Sequence, residues 1–99
     1  MKISIEGLNK AFESRIRLGI MSALAVNKEY DFSSLKDFLD VTDGNLASHL
    51  KALEKEGYIE VEKSFVDRKP NTRYSMTKGG RSAFEEHLKV LEKLIRAQK

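Results

Sequence analysis

The clearest candidates for binding chemistry lie in a helical segment between Thr42 and Gly57, which carries two different faces. One face is a narrow apolar seam of three leucines, Leu46, Leu50 and Leu53. The opposite face is small, polar or cationic and contains no carboxylate: Gly44, Ala47, Ser48, Lys51 and Lys55. A helix that only packs on the hydrophobic core needs no feature beyond the apolar seam. The second face is slim enough to approach base edges, and its charge does not repel phosphate.

Three side chains of this helix are the leading candidates for contact with DNA, namely Asn45, Ser48 and Lys51. Serine and asparagine can donate to phosphates or base edges, and lysine can pair with phosphate or guanine. The free N–H groups at the start of the helix could also hold a phosphate, although Asp43 would oppose it. The alternative is an ordinary solvated helix face. The other candidates in the helical part of the chain are Ser34, Thr42 and Lys55.

His49 lies on the flank of the apolar seam, and two roles are open for it. It either donates to a phosphate, or it is a packed histidine bonded to a backbone carbonyl. A catalytic or metal-binding role is not expected, because no second ligand stands at helical spacing from it.

A second cluster of cations follows in a turn that holds the only proline of the chain. Such a turn is a compact site for phosphate, and Pro70 would stiffen it and lower the entropy cost of binding. A solvated turn is the alternative. The candidates for contact in this segment are Arg68, Lys69, Asn71 and Arg73.

The elements that would position these residues can be predicted from caps and periodicity. Residues 8–12 are predicted as a helical turn, and Ser14 as the cap of a helix from Arg15 to about Val26. A short extended piece, 30–32, leads to a helix capped by Ser33 or Ser34. That helix should point its apolar residues inward, and these are Leu35, Phe38 and Leu39. Thr42 should cap the third helix, and Gly57 should end it.

After Gly57 the apolar period changes to two, which predicts a half-buried strand over residues 59–66. Residues 67–71 are predicted as a turn and 72–76 as the returning strand. Thr77 should cap a final helix, although Gly79 and Gly80 in its first turn are poor helix formers.

The final helix carries two apolar stripes, more than one neighbour in a small domain covers. One stripe should pack on the first helix of its own chain and the other on a second copy; a simple amphipathic core helix is the alternative. The first helix has a similar apolar surplus. The residues expected at the interface between two copies are Leu8, Leu18, Met21, His87, Val90, Leu91 and Leu94.

Length and composition limit the possible functions. The 99 residues are expected to form one domain, and 40% of them are apolar, which supports one core. The absence of cysteine excludes disulfides and thiolate metal sites and fits a reducing compartment. No apolar run or leader suggests a membrane, so we expect a cytoplasmic protein. We find no catalytic motif and expect neither enzymatic activity, nor a cofactor, nor a metal.

The pattern as a whole resembles winged-helix transcriptional regulators of the MarR and ArsR type. The resemblance is carried by N-L-x-x-H-L-x-x-L-x-x-x-G-Y-I over residues 45–59, followed by the basic turn and T-x-x-G at 77–80. It implies a homodimer whose third helix reads the major groove while the wing lies along the backbone or minor groove. His87 beside Glu86 is similar to metal sites of some ArsR-type dimers, although the cysteines of metal-sensing members are missing.

We therefore expect a mainly α, α+β fold over residues 1–99. Its helix-turn-helix should span about 33–56, its two- to three-stranded β wing about 58–76, and its C-terminal dimerisation helix about 78–97. The expected function is a homodimeric, sequence-specific regulator that binds double-stranded DNA at an inverted repeat. A winged-helix protein–protein module without DNA binding is the alternative. That alternative would place acidic residues on the groove face of the third helix and at the turn.

Overall fold

The helices and strands follow one another in the order that the sequence predicts. The computed structural model describes residues 5–97 of the chain. A 3-10 turn over Lys10–Phe12 precedes α1, and the remaining elements are α1 (Arg15–Val26), β1 (Tyr30–Asp31), α2 (Phe32–Leu39), α3 (Asp43–Lys55), β2 (Ile59–Val66), β3 (Lys69–Met76) and α4 (Lys78–Arg96). Four helices and a three-stranded antiparallel sheet make a winged-helix fold, which confirms the predicted fold class.

Side-chain caps begin three of the helices where the sequence predicts them. The Ser14 hydroxyl accepts from the first turn of α1, and the Thr42 hydroxyl accepts from the Asn45 N–H at 3.2 Å. Such caps satisfy N–H groups that have no partner inside the helix. The predicted cap of α2 is wrong: Asp31, not Ser33 or Ser34, accepts from the Ser34 N–H at 2.7 Å. The helix therefore starts at Phe32.

The three leucines of α3 are all buried, as the seam requires, and they pack with α1 and Leu35 of α2 in the core. Phe38 does not point inward as predicted, since 64% of its surface is exposed. At 100° per residue it lies about 80° from the midline of Leu35 and Leu39, on the edge of the buried stripe. There its ring stacks on Tyr30 with centroids 6.0 Å apart.

The sheet has the strand order β1-β3-β2, and β2 and β3 form a long hairpin, the wing. The turn between them is shorter than predicted, because Lys69, Pro70 and Asn71 already belong to β3. Asp67 and Arg68 alone make the turn, both with positive φ, which matches the twist of a tight hairpin. Pro70 is tolerated because β1 pairs only with residues 73 and 74, so β3 is an edge strand at residue 70.

The base of α4 is fixed to the start of the wing through two backbone carbonyls, those of Tyr58 and Gly57, and the Thr77 hydroxyl donates to the Gly57 oxygen at 2.7 Å. The Thr77 N–H donates to the Tyr58 carbonyl oxygen at 3.1 Å, and the Thr77 hydroxyl accepts from the Gly80 N–H at 2.8 Å. Gly80 lies directly against the Tyr58 carbonyl, where any Cβ would overlap the oxygen. Glycine is a poor helix former at this position, but the close approach to the carbonyl requires it.

Two residues expected at a dimer interface lie instead inside the chain. Met21 is completely buried in the core, and His87 is 5% exposed. The His87 Nδ1 accepts from the Asn9 N–H at 3.0 Å, and its ring packs edge-on against Phe12. The segment before α1 thus covers the part of α4 around His87. A side chain at Gly7 would also collide with Val90.

The outer part of α4 keeps apolar surface. On α4, Leu88 is 44% and Ile95 66% exposed, and three further apolar residues are half-buried, Val90, Leu91 and Leu94; Leu8, before α1, is half-buried as well. Leu18 of α1 is half-buried too. Among residues 5–97, no helix is both long and apolar enough to cross a membrane.

Candidate nucleic-acid interface

The outward face of α3 is fully accessible. Asn45, Ser48, Lys51 and Lys55 are all exposed, and Ala47 between them is exposed as well. No atom lies within 4 Å of the position that a Cβ on Gly44 would take. The first turns of α3 therefore present a narrow ridge with open space on one side. The Thr42 hydroxyl is engaged in its cap, so this residue would contribute to a contact mainly through its place at the helix start.

The carboxylate at the start of α3 has a partner. Asp43 forms an ion pair with Lys36 of α2, with Nζ and Oδ1 2.8 Å apart. The hydrogen bond with Asp43 raises the pKa of Lys36, and the attraction between the charges acts in the same direction. The repulsion that Asp43 alone would exert on a phosphate is therefore offset by a cation, which sequence spacing did not reveal because the two residues belong to different helices.

His49 joins α3 to α1. Arg17 Nε donates to His49 Nδ1 at 2.9 Å, and the histidine is half-buried. Burial lowers the pKa of His49, and the positive charge of Arg17 lowers it further, so the ring is neutral at pH 7. A ring that accepts at Nδ1 carries its proton on Nε2. The ring is thus packed between α3 and α1, with an arginine side chain rather than a backbone carbonyl as its partner; donation from Nε2 to a phosphate stays a prediction.

A groove of about 280 Å³ separates α3 from the wing, and it is lined by Ala47, Leu50, Lys51, Glu54, Val61, Lys63 and Tyr74. Side chains alternate along a strand, so Val61, Lys63 and Phe65 share one face of β2. We call this the α3-side face of the wing; Tyr74 and Pro70 belong to it because they pair with Val61 and Phe65. Burial raises the pKa of the Tyr74 hydroxyl, and nearby Glu54 raises it further.

The two faces of the wing differ in their charged residues. The α3-side face carries Lys63 alone beyond Val61, whereas the other face carries Glu60 and Glu62 on β2 and Lys69 and Arg73 on β3. Lys63 was not among the predicted contacts. The period of two that predicted the strand already placed it on the same face as Val61, so the pattern could have identified it.

The predicted cations of the hairpin separate into two groups. Arg68 and Lys69 are exposed at the tip, with Arg68 in the turn itself at φ 66°. Asn71 is half-buried one step along β3. Arg73 is not part of the tip. Its side chain lies on the face of β3 opposite to Tyr74, where Nη1 donates to Glu29 Oε1 at 2.9 Å. The sequence grouped Arg73 with Arg68 and Lys69 because nothing near Arg73 shows that its partner is Glu29, 44 positions earlier in the chain.

Ser34 is exposed at the start of α2, where it is engaged with Asp31. Hydrogen bonds from the Ser34 N–H and hydroxyl lower the pKa of the Asp31 carboxyl. No group of three or more histidine, aspartate or glutamate side chains that could hold a metal occurs within residues 5–97. The accessible chemistry in this part of the chain is thus hydrogen bonding and positive charge, presented by α3 and the wing.

These features define a class of protein. A family model described as a winged helix DNA-binding domain matches residues 16–95, and the chain belongs to that family. The match covers α1, the helix-turn-helix, the wing and nearly all of α4.

Individual relatives agree with this assignment. The chain is 38% identical over 79 residues to the uncharacterized protein MJ0432 of Methanocaldococcus jannaschii, which covers 80% of this chain and 86% of that protein. It is 33% identical to a structure described as a transcriptional regulator homologue from Pyrococcus horikoshii OT3, with a TM-score of 0.81 over 96% of this chain and 99% of the other.

More distant structures share the fold. A MarR-family regulator from Enterococcus faecalis V583 superimposes with a TM-score of 0.70 at 22% identity, covering 89% of this chain and 76% of that one. The predicted resemblance to MarR-type regulators is therefore confirmed at the level of the fold.

Proposed function

We propose that the protein is a homodimeric transcriptional regulator that binds double-stranded DNA with sequence preference at an inverted repeat. The observation that carries the proposal is the exposed ridge of Asn45, Ser48 and Lys51 on α3, beside a groove that Lys51 and Lys63 line together with a single carboxylate, Glu54. The 33% identical structure described as a transcriptional regulator homologue supports the regulatory role. In this proposal α3 enters the major groove, and the wing follows the adjacent backbone.

The charge distribution favours DNA over the alternative of a protein–protein module. Asn45, Ser48 and Lys51 are exposed on the first turns of α3. Of the two carboxylates of this helix, Asp43 is paired with Lys36, and Glu54 lies in the last turn. Arg68 and Lys69 extend the positive surface at the wing tip. A module without DNA binding would have no reason to pair the only carboxylate in the first turns of α3 with a cation.

Dimerisation in this proposal rests on α4. Leu88, Leu91, Leu94 and Ile95 leave an apolar strip on the outer half of the helix, beyond the part covered by the segment before α1. A two-fold axis beside this strip would bury it against its own copy. It would place two α3 helices about one DNA turn apart, roughly 34 Å, which is the reason to expect an inverted repeat.

Selection of bound sites from random duplexes, followed by titrations at several salt concentrations, tests DNA binding. Replacing Arg68 and Lys69 together with alanine should weaken binding to every sequence and reduce the salt slope by about one for each phosphate that the variant no longer neutralises. Ser48→Ala should instead change the preference among sites. Lys89→Ala with Lys93→Ala removes the same charge from α4 and is the control. Absence of any duplex binding at about 50 mM salt and micromolar protein would refute the proposal.

Sedimentation tests the dimer. Leu91→Lys with Leu94→Lys should produce a monomer that keeps its helical content but no longer prefers the inverted repeat. Ser82→Lys with Glu85→Gln adds the same two charges on exposed positions of α4 and should leave the dimer intact. If the wild-type protein sediments as a monomer at tens of micromolar, the dimer is refuted, whereas the proposal that the protein binds DNA is unaffected.

A further inference from the structure

The wing tip carries an apolar side chain that the fold does not use. Phe65 is 76% exposed although β2 begins with the buried Ile59. Burial ends along the strand because the eight residues of β2 extend about 27 Å, well past the edge of the core. The position opposite Phe65 in β3 is Pro70, so the last cross-strand pair on the α3-side face is a phenyl ring beside a pyrrolidine ring.

This apolar pair is surrounded by positive charge. Residues 63–70, which form the tip, contain three cations and a single carboxylate, Asp67, which lies in the turn. Lys63 precedes Phe65 on the same face, Arg68 lies in the turn, and Lys69 pairs with Val66 on the other face of the tip. The acidic residues of β2, Glu60 and Glu62, lie on the other face and nearer to the core. An apolar protein surface would not need this cationic frame, whereas a groove between two phosphate backbones matches it.

Phe65 also continues the surface already assigned to DNA. The α3-side face runs from the groove beside Lys51, through Lys63, to Phe65. Proteins that enter the minor groove frequently insert phenylalanine or proline between base steps, which unstacks the step and bends the duplex. Two rings at the end of a narrow two-stranded ribbon have the shape for such an insertion.

We propose that Phe65, supported by Pro70, is a wedge that enters the minor groove beside the half-site and opens one base step. The wedge rests on the proposed function, since it acts on the same bound duplex. It adds a source of specificity that uses no hydrogen bond to a base. Pyrimidine–purine steps open most easily, so the protein should favour such a step at the flank of each half-site.

The test uses a duplex obtained by selection with the wild-type protein, carrying 2-aminopurine at successive flanking positions. A second version carries a fluorophore pair at its ends. The wild-type protein should raise the 2-aminopurine fluorescence at one flanking step and shorten the end-to-end distance. Phe65→Ala should abolish both changes and weaken binding about tenfold, with the salt slope unchanged because the phenyl ring neutralises no phosphate. Phe65→Leu should keep a partial effect.

Val66→Ala is the matched control, because Val66 is 48% exposed at the tip but lies on the other face. It should bind and bend DNA as the wild-type protein does. If Phe65→Ala bends the duplex and binds within twofold of the wild type, the wedge is refuted while DNA binding stands. If the substitution instead changes the sedimentation of the free protein, the tip contacts protein and the wedge is equally refuted. If the wild type binds no duplex at all, the proposed function fails first.

Discussion

Replacing Gly80 with alanine should destabilise the junction between the wing and α4 by more than the small size of the added methyl group suggests. The new Cβ would overlap the Tyr58 carbonyl oxygen, which is backbone and cannot rotate away. The helix start must then move off the carbonyl. That motion breaks the Thr77 N–H bond to Tyr58, worth about 1 kcal/mol, and disturbs the Thr77 cap, worth about 1 kcal/mol.

Residual crowding adds about 1–3 kcal/mol, and the better helix propensity of alanine returns at most about 1 kcal/mol. The net decrease in the free energy of unfolding is about 2–4 kcal/mol. For a chain of this length, that lowers the Tm by about 10–20 °C. Urea and thermal unfolding followed by circular dichroism measure both quantities.

The neighbouring glycine supplies the control. A Cβ on Gly79 would have its nearest neighbours at 3.8 Å and 3.9 Å, which is ordinary contact. Gly79→Ala should therefore stabilise the protein by up to about 1 kcal/mol through propensity alone. Two identical substitutions, one residue apart, are expected to change the Tm in opposite directions. If Gly80→Ala melts within about 3 °C of the wild type, the carbonyl contact does not constrain this junction and the reasoning is wrong.

Two further predictions concern charge. Burial lowers the pKa of His87, and Glu13 acts in the opposite direction, so the contribution of the neutral ring to stability is complete above about pH 6.5 and is lost as the pH falls below that value. His87→Asn can still accept from the Asn9 N–H but does not titrate, so its stability to urea should decrease less than that of the wild type between about pH 7.5 and about pH 5.5. Arg73→Ala should weaken duplex binding less than Lys69→Ala in titrations at equal salt, because Arg73 is paired with Glu29; an equal weakening would show that the pair opens on DNA.

The parts of the fold that were predictable are those governed by local rules. Ser14, Thr42 and Thr77 could be recognised as caps because a short polar side chain precedes a helical apolar pattern in each case. The leucine seam of α3 was predictable because its burial follows from period alone. The cap of α2 was missed because Asp31 also belongs to a strand, so two local rules competed for the same residue.

The rest depended on contacts between distant segments. Nothing in the neighbourhood of His87 shows that Asn9, at the other end of the chain, would occupy its ring nitrogen. The same is true of Arg17 with His49 and of Lys36 with Asp43. The candidate site was therefore predictable as a set of exposed polar residues on α3 and the turn, but not in the pairing that decides which of them are free.

The backbone conformation of the turn at the wing tip matters for any redesign of this sequence. Arg68 holds a left-handed conformation at φ 66° that costs a non-glycine residue about 1–2 kcal/mol, and Asp67 shares it at φ 52°. Asn-Gly would suit this tight turn better. A redesign guided only by thermal stability would choose that pair and would thereby remove a guanidinium from the end of the hairpin. The residue that fits its backbone position least well is thus the one whose replacement should be judged by binding rather than by melting temperature.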